Sequence, residues 1–511
     1  MPLLPRLLLA AACLLASTLR AATSPLPRST PEAEGVSSAA LQALVTELGQ
    51  KIDAVHGLVI LRHGKVIAEG AWAPYSLQQP HVLFSLSKSF TSTAIGIAAS
   101  EGLLGIDDPV VKFFPEDVPA NASQHLKALR IRDLLKMSTG QLPADIDAYN
   151  YFAPESPAAR FFAMPVAHKP GTFFYYNTAA SYMLSAIIQK VSGQTTRDYL
   201  MPRLFEPLGI EDPLWEKSPQ GISLGGFGLY LRTEEIARFG QLYLQRGEWQ
   251  GRRLLPAAYV DEATTRQASN GSDPSSDWDQ GYGYQFWRCT PGFYRADGAF
   301  GQFCIVMPQY DTVVAINSGT GDMGGLMKIL WAKLLPELRP AALPEDAAAQ
   351  AALKAKLASL SLPVVKGDPM NATATRVSGK RYEVPANAMR VEAIEVRFEP
   401  GQATITLHYP GGGVQPSCFS TGTWNNDTEL RGLTGPIPMS GTGAWTSANT
   451  YTTRAAFRNQ HTILTTTLTF EGDTLTVDQV PNVTFGKPEH FVLKGKEALS
   501  PSASPAAPGT R

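Results

Sequence analysis

Cysteine is scarce in this sequence, neither sign of charge dominates, and the histidines follow no pattern. Four cysteines occur among 511 residues, and 44 basic residues are balanced by 45 acidic ones, for a net charge of -1. No overall field therefore attracts nucleic acid or an anionic surface. The eight histidines and four cysteines show no ligand spacing, which argues against a metal site. The sequence predicts no metal, no cofactor and no nucleic-acid partner.

Long apolar runs are also lacking, apart from a short one at the start of the chain. Arg6 precedes an apolar run over residues 7–15, and small residues follow at Ala21 and Ala22. This order predicts a secretory signal peptide over residues 1–22, and the run is too short to span a bilayer. We therefore expect no transmembrane segment and a periplasmic or secreted protein. A lipoprotein box at residues 10–13 is the lesser alternative.

Removal of the signal leaves Cys289, Cys304 and Cys418. An odd number of thiols means that at least one has no partner within the chain. Cys289 and Cys304 flank a short segment between two predicted strands, so they could face each other. Spacing alone leaves this pairing open.

The domain organisation is predicted from length and from the change in hydrophobic period. A chain of 511 residues exceeds what one core usually organises, so we expect two domains. Strands, then helices, then strands over residues 23–340 indicate an α+β domain with an antiparallel sheet. An Ala- and Lys-rich helical linker follows over residues 341–369. Alternating apolar residues predict a small antiparallel β-sandwich or barrel over 370–497, and we expect residues 498–511 to be a disordered tail.

A serine and a lysine three residues apart provide the first chemical signal. Apolar residues at helical spacing predict a helix from Ser85 to about Ser100, which places Lys88 one turn from Ser85 on the same side. Ser85 lies in the first turn, where unpaired amides and the helix dipole favour a developing oxyanion. The pair is therefore a candidate activated nucleophile.

Further motifs in the same order resemble those of a known family. Ser85-Leu86-Ser87-Lys88 is followed by Pro170-Gly171-Thr172, Tyr175-Tyr176-Asn177, Glu206-Pro207-Leu208-Gly209 and Gly225-Gly226. Together they resemble the serine β-lactamase and penicillin-binding-protein-like hydrolases. The resemblance is to the class C branch, which includes D-alanyl-D-alanine peptidases, family VIII-type esterases and nylon-oligomer hydrolases. It implies an antiparallel sheet flanked by helices, an all-helical subdomain and an acyl-enzyme mechanism.

The resemblance also implies roles for individual residues. Ser85 would be the nucleophile, and Tyr175 and Lys88 would share the task of removing its proton. Whether a Tyr175 phenolate or a neutral Lys88 is the base stays open. Asn177 would hydrogen-bond Lys88 and the amide of the substrate. The amides of Ser85 and Ala299 would form the oxyanion hole, with Gly298 permitting a close approach.

The third family motif is absent. Instead of Lys-Thr-Gly, the corresponding stretch begins Ala296-Asp297-Gly298, and alanine cannot bind a substrate carboxylate. We therefore predict an ester or amide hydrolase acting on small-molecule or short-oligomer acyl substrates, with no prediction of oligomeric state. The alternatives are a D-alanyl-D-alanine carboxypeptidase, a class C-like β-lactamase, and a penicillin-recognising module that does not turn over.

A second serine motif competes with the first. Gly221-Ile222-Ser223-Leu224-Gly225 matches the nucleophile elbow of α/β-hydrolases. That elbow requires a strand before the serine and a helix after it, whereas Pro219 precedes Ser223 and two glycines follow it. Ser85 is therefore the preferred nucleophile.

Overall fold

The main sheet of the first 340 residues is formed by strands from both ends of that segment. The computed structural model describes residues 25–431 and 436–498, so the predicted signal peptide and all but one residue of the predicted tail lie outside the described chain. The strands are β1 (Val55–Arg62), β2 (Lys65–Ala71), β3 (His81–Val82), β4 (Tyr230–Leu231), β5 (Glu248–Trp249), β6 (Arg252–Arg253), β7 (Trp287–Arg288), β8 (Tyr294–Gly298), β9 (Gln302–Met307) and β10 (Thr312–Ser318). Six of them form an antiparallel sheet in the order β2-β1-β10-β9-β8-β7. The predicted α+β fold is confirmed.

Helices cover both faces of this sheet. The helices of the described chain are α1 (Ser38–Lys51), α2 (Ser87–Ser100), α3 (Gln124–Ala128), α4 (Ile131–Leu135), α5 (Pro143–Asp147), α6 (Pro157–Ala163), α7 (Thr178–Ser192), α8 (Thr196–Leu200), α9 (Glu206–Leu208), α10 (Thr233–Leu244), α11 (Ala257–Thr264), α12 (Met323–Lys333), α13 (Ala347–Ala358) and α14 (Ala372–Val377). The last of them, α14, packs in the core of the C-terminal unit instead. Met201–Phe205 is a π-helical turn between α8 and α9.

Alternation along the strands divides the core into two layers. Val59, Val313 and Val306 face α2, α4, α7 and α10, whereas Leu58, Val314 and Ile305 face α1 and α12. Successive side chains of a strand point to opposite faces, so one sheet serves both layers. The helical layer around α2 and α7 is the one that carries the predicted nucleophile.

The two sheet-borne cysteines lie in different layers. Cys304 belongs to the layer around α2 and α10, and Cys289 belongs to the layer around α1 and α12. Both are buried free thiols, and Cys418 is free as well. The pairing of Cys289 with Cys304 that the sequence left open does not form, because the sheet separates them.

The C-terminal part of the described chain, from Lys380 to Glu497, forms a β-barrel. Its strands are β11 (Lys380–Glu383), β12 (Ala393–Glu399), β13 (Gln402–Tyr409), β14 (Gly413–Ser420), β15 (Asn425–Arg431), β16 (Pro436–Trp445), β17 (Thr450–Phe457), β18 (Ile463–Glu471), β19 (Thr474–Pro481) and β20 (Phe491–Glu497). Nine strands pair in a closed ring because β14 pairs with β16, and β15 is added along β16. Of the two predicted architectures, the barrel is the one observed.

The barrel packs directly on the α+β unit. Ala456 and Ile463 lie in the same apolar layer as α1 and α12. Leu353 of α13, in the predicted linker, belongs to that layer too. The two units therefore share one buried apolar layer.

Among residues 25–431 and 436–498, no helix is both long and apolar enough to cross a bilayer.

Candidate active site

The predicted nucleophile lies on a tight turn just ahead of its helix. Phe84–Leu86 form a 3₁₀ turn, and α2 begins at Ser87, two residues later than the sequence predicts. Phe84 has a φ of 47°, a left-handed conformation that non-glycine residues seldom adopt. Such backbone outliers occur often at functional sites. Ser85 is only half-buried at this turn.

Lys88 points at Ser85 from inside the protein. Its Nζ donates to Ser85 Oγ at 3.0 Å and to the Gly226 carbonyl at 2.8 Å. The residue is 1% exposed. Burial lowers the pKa of the ammonium to about 7, and the negative charge of Asp297 opposes that shift. Lys88 is thus a buried amine that can be neutral near physiological pH.

Tyr176, and not Tyr175, is the tyrosine at this pair. The Tyr176 side chain lies close enough to Ser85 for that residue to act on the pKa of its phenol, and its ring centroid is 4.9 Å from Lys88 Nζ. The Tyr175 hydroxyl instead donates to Asp147 Oδ2 at 2.9 Å, away from the serine. The assignment of Tyr175 is therefore corrected. The sequence pattern selected the wrong tyrosine because neighbouring side chains of an extended segment point in opposite directions. A register error of one residue therefore exchanges the two rings.

Asn177 is buried, and its side chain hydrogen-bonds only residues that hold the fold around it. Its Nδ2 donates to Thr139 Oγ1 at 3.1 Å and to Gln141 Oε1 at 3.0 Å, and its Oδ1 caps α7 by accepting from the Ala180 amide at 3.0 Å. These three bonds use the polar atoms that were expected to bind Lys88 and a substrate amide. The predicted binding role of Asn177 is therefore not supported by its contacts.

Replacing Asn177 by alanine is expected to lower the free energy of unfolding by about 2–4 kcal/mol. Loss of a helix cap costs about 1 kcal/mol, and stranding buried partners adds about 1–3 kcal/mol. Ser37→Ala is the matched control, because Ser37 caps α1 with one bond to the Ala40 amide. We expect it to cost about 1 kcal/mol in the same urea titration. If Asn177→Ala lowers the free energy of unfolding no more than the control does but strongly lowers kcat, the predicted role of Asn177 at the active site would be restored.

The strand end that carries Gly298 and Ala299 lies beside the nucleophile turn. A Cβ on Gly298 would come within 2.1 Å of the Leu83 carbonyl oxygen, so only glycine permits this approach. The following turn is held by Gln302, whose Nε2 donates to the carbonyls of Ala299 at 3.2 Å and Ser318 at 2.6 Å. Within the described chain, neither the Ser85 amide nor the Ala299 amide donates to a backbone carbonyl. Both amides therefore remain available to another acceptor.

Asp297 is the residue of β8 whose charge acts on the ionisable groups of the site. Ala296 is fully buried in the helical layer, and the Asp297 carboxylate acts on both Lys88 and Tyr176. Burial raises the pKa of Asp297, and the guanidinium of Arg295, with Nη2 at 2.9 Å, opposes this. Arg295 is itself fully buried. The strand thus has an alanine where the family motif has a cation, and the next residue is a buried carboxylate that is paired with Arg295.

Aromatic rings form one wall of the site. Tyr176 stacks on Trp287 with centroids 5.4 Å apart and meets Tyr282 edge-on at 6.2 Å. Tyr151, from the long segment before Tyr175, hydrogen-bonds Thr178 and packs on Phe227 at 5.3 Å. Sequence reasoning missed Asp297, Tyr282 and Trp287 as site residues, because only their position relative to Lys88 and Tyr176 marks them.

Ser223 does not stand on a nucleophile elbow. It is fully buried in a loop, where its Oγ accepts from the Arg197 amide at 3.5 Å and its carbonyl accepts from Ser185 Oγ at 2.7 Å. No three His, Cys, Asp or Glu side chains gather as metal ligands within the parts of the chain that are described. The reactive groups at the site are therefore those around Ser85.

Comparison with known proteins agrees with the predicted family and fold. The β-lactamase family profile matches residues 41–330. A 6-aminohexanoate-dimer hydrolase of Paenarthrobacter ureafaciens is 24% identical over 331 residues, which cover 59% of this chain and 82% of the relative. Penicillin-binding protein 4 of Amycolatopsis lactamdurans is 27% identical over 213 residues, which cover 34% of this chain and 55% of the relative. The chain thus spans only about half the length of the second relative.

A solved structure with a similar fold covers the same region. The structure of a candidate 6-aminohexanoate-dimer hydrolase from Bacillus anthracis superimposes with a TM-score of 0.50 at 18% identity. The match covers 63% of this chain and 90% of the other. At this identity the likeness concerns the fold.

Proposed function

The chain belongs to the β-lactamase family, and we propose that it is a serine hydrolase that cleaves an ester or amide bond through an acyl-enzyme on Ser85. One observation carries the proposal: the Lys88 amine, with a pKa lowered to about 7 by burial, donates to Ser85 Oγ at 3.0 Å. A serine hydroxyl needs an adjacent base before it attacks a carbonyl carbon, and Lys88 meets that need.

Of the two candidate bases, the surroundings favour Lys88. Burial raises the pKa of Tyr176 above its ordinary value, and the influence of Ser85 only partly opposes this. A phenol in such a place keeps its proton at neutral pH, whereas Lys88 is partly neutral. In the proposed mechanism, neutral Lys88 accepts the serine proton as Ser85 attacks. Tyr176 then passes a proton to the leaving group and takes the serine proton over from Lys88, so that Lys88 is neutral again before water attacks.

The amides of Ser85 and Ala299 are proposed to hold the oxyanion. Removing one such donor typically costs about 10²–10³ in rate, and a backbone amide is independent of its side chain. Gly298 supports this arrangement by letting β8 approach the nucleophile turn. Water then attacks the acyl-enzyme with the same base, which releases the acid and restores Ser85.

The charges of the site support general acyl hydrolysis over penicillin or D-alanyl-D-alanine chemistry. Substrates of the latter kinds carry a carboxylate, which Ala296 cannot bind and which the Asp297 carboxylate disfavours. The cation nearest to Asp297 is Arg295, which is buried and already paired with it. We therefore propose an ester or amide substrate that carries no carboxylate beside the scissile bond.

Turnover of p-nitrophenyl acetate is expected, with kcat/KM rising from low pH to a plateau through an apparent pKa near 7. The sign follows from the base: protonated Lys88 cannot accept a proton, so activity falls tenfold for each pH unit below its pKa of about 7. The measurement is initial rates between pH 5.5 and 9, with circular dichroism as the control for folding. Hydrolysis of nitrocefin under the same conditions is expected to be poor.

Two outcomes would overturn the proposal. A profile that is level down to pH 5.5, or one that rises only near pH 10, would exclude Lys88 as the base. A stoichiometric burst of p-nitrophenol without steady turnover would instead identify a binding module that acylates and stops.

A further inference from the structure

Two loops of the barrel are fastened to the part of the fold that carries Ser85. The Val82 amide donates to the Asn459 carbonyl at 3.0 Å, and Asn482 Nδ2 donates to the Gly319 carbonyl at 2.6 Å. A Cβ on Gly319 would lie 1.9 Å from the His461 carbonyl oxygen, so glycine is needed for this contact. The loops before β18 and after β19 are therefore fixed beside the nucleophile turn.

These loops complete a cluster of four rings, which we call the four-ring cluster: Phe84, Phe300, His461 and Phe485. His461 stacks on Phe300 with centroids 4.4 Å apart and an interplanar angle of 6°. Phe84 meets His461 edge-on at 4.7 Å and Phe485 at 5.9 Å. Phe485 lies 4.9 Å from Phe300. Two rings come from the α+β unit and two from the barrel, so neither unit forms the cluster alone.

The position of the cluster relates it to the chemistry at Ser85. Phe84 precedes Ser85, and Phe300 follows Ala299, so two of the rings adjoin the two proposed oxyanion donors. Both residues have positive φ, 47° for Phe84 and 62° for Phe300, a left-handed conformation that non-glycine residues seldom adopt. Tyr176 packs instead against Trp287 and Tyr282. Tyr176 is the proposed proton donor to the leaving group, and these neighbours do not include the rings of the four-ring cluster, so an assignment of the cluster to the acyl side depends on that role of Tyr176.

The cluster is apolar and opens to solvent. Phe300 is 8% exposed and Phe485 is 75% exposed, so the surface runs from the interior to the outside. Burial lowers the pKa of His461 to about 3, with His81 adding to the effect, so the imidazole is neutral at physiological pH. Covering an uncharged aromatic surface of this kind with an apolar group is favourable, because it removes apolar area from water.

We propose that the four-ring cluster is an acyl-chain subsite that selects substrates with a medium-length alkyl or aryl acyl group. The assignment to the acyl side rests on the proposed function. The barrel is thus a specificity element of the hydrolase, because it supplies His461 and Phe485 to the subsite. The substrate class is an ester or amide of an apolar carboxylic acid.

The test compares p-nitrophenyl octanoate with p-nitrophenyl acetate, which share a leaving group and differ only in the acyl chain. We expect the wild type to prefer the octanoate. Phe485→Ala should lower kcat/KM for the octanoate about tenfold and for the acetate less than twofold, since each buried methylene favours binding. Phe491→Ala is the matched control, because Phe491 is an exposed phenylalanine of the same barrel, 49% exposed. An unchanged octanoate-to-acetate ratio in Phe485→Ala, or an equal fall in Phe491→Ala, would overturn the subsite.

A binding measurement separates this inference from the proposed function. Octanamide and acetamide are titrated against Ser85→Ala by saturation-transfer NMR, which needs no turnover. We expect octanamide to bind at least tenfold more tightly, and Phe485→Ala in the same background to remove most of that preference. This result, together with an absence of ester turnover in the wild type, would support the subsite and reject the proposed function. Turnover without any chain-length preference would do the reverse.

Discussion

Replacing Tyr176 by phenylalanine is expected to lower kcat for ester hydrolysis by about 10²–10⁴-fold, the usual contribution of a positioned proton donor. The variant removes only the hydroxyl, which is the proposed proton donor, and leaves the ring stacked on Trp287 at 5.4 Å. KM should change little, because the ring remains in place. The measurement is a steady-state comparison at the plateau pH on an ethyl ester, because an alkoxide leaving group needs a proton from the enzyme whereas p-nitrophenolate leaves without one.

Tyr175→Phe is the matched control in the adjacent position. Its hydroxyl reaches only Asp147 Oδ2, so we expect kcat within about threefold of the wild type. The pair of variants distinguishes the two registers of the tyrosine motif. A large loss in Tyr175→Phe with full activity in Tyr176→Phe would show that the side chains exchange places during the reaction.

Replacing Ser85 by alanine is expected to lower kcat by about 10⁴–10⁶-fold, because no other group at the site can form the acyl-enzyme. Lys88 and Tyr176 remain, but they then have no hydroxyl to activate. The loss should be in kcat with little effect on the affinity for a substrate amide. Initial rates at high enzyme concentration measure it.

Ser223→Ala is the control for the competing motif. Ser223 is buried, and its Oγ accepts from the Arg197 amide at 3.5 Å, so its loss should change kcat less than about threefold. The outcome that contradicts the account is a Ser223→Ala enzyme that is dead beside an active Ser85→Ala enzyme.

Local spacing was enough to predict that Ser85 and Lys88 lie side by side. Three residues on a helix bring two side chains together whatever surrounds them, and Lys88 Nζ is indeed 3.0 Å from Ser85 Oγ. The sheet formed from both ends of the segment followed from the order of strands and helices. The barrel followed from the alternation of apolar residues. Each of these predictions depends on a period that the sequence displays directly.

The extended segment around Tyr175 gave no comparable help. In such a segment the direction of a side chain depends on register, and two consecutive tyrosines offer both registers. Asn177 was misassigned for the same reason: its partners Thr139 and Gln141 come from a loop that no short motif connects to it. The side on which each residue faces is decided by tertiary packing.

The contribution of the barrel to the site was equally out of reach. His461 and Phe485 lie more than 370 residues after Phe84, and no repeat or spacing connects them with it. Their meeting depends on how the two units dock, through contacts such as that of Asn482 with Gly319. A sequence pattern can predict a barrel without predicting which of its loops touches the nucleophile turn.

The most direct test of the central claim is to identify the residue that becomes acylated. The enzyme is mixed with p-nitrophenyl octanoate, quenched in acid within the first turnovers, digested and examined by peptide mass spectrometry. We predict a mass increase of one octanoyl group on the peptide that contains Ser85, and none in the Ser85→Ala variant. Acylation at another residue, or hydrolysis at full rate with no acylated peptide after any quench time, would contradict the account.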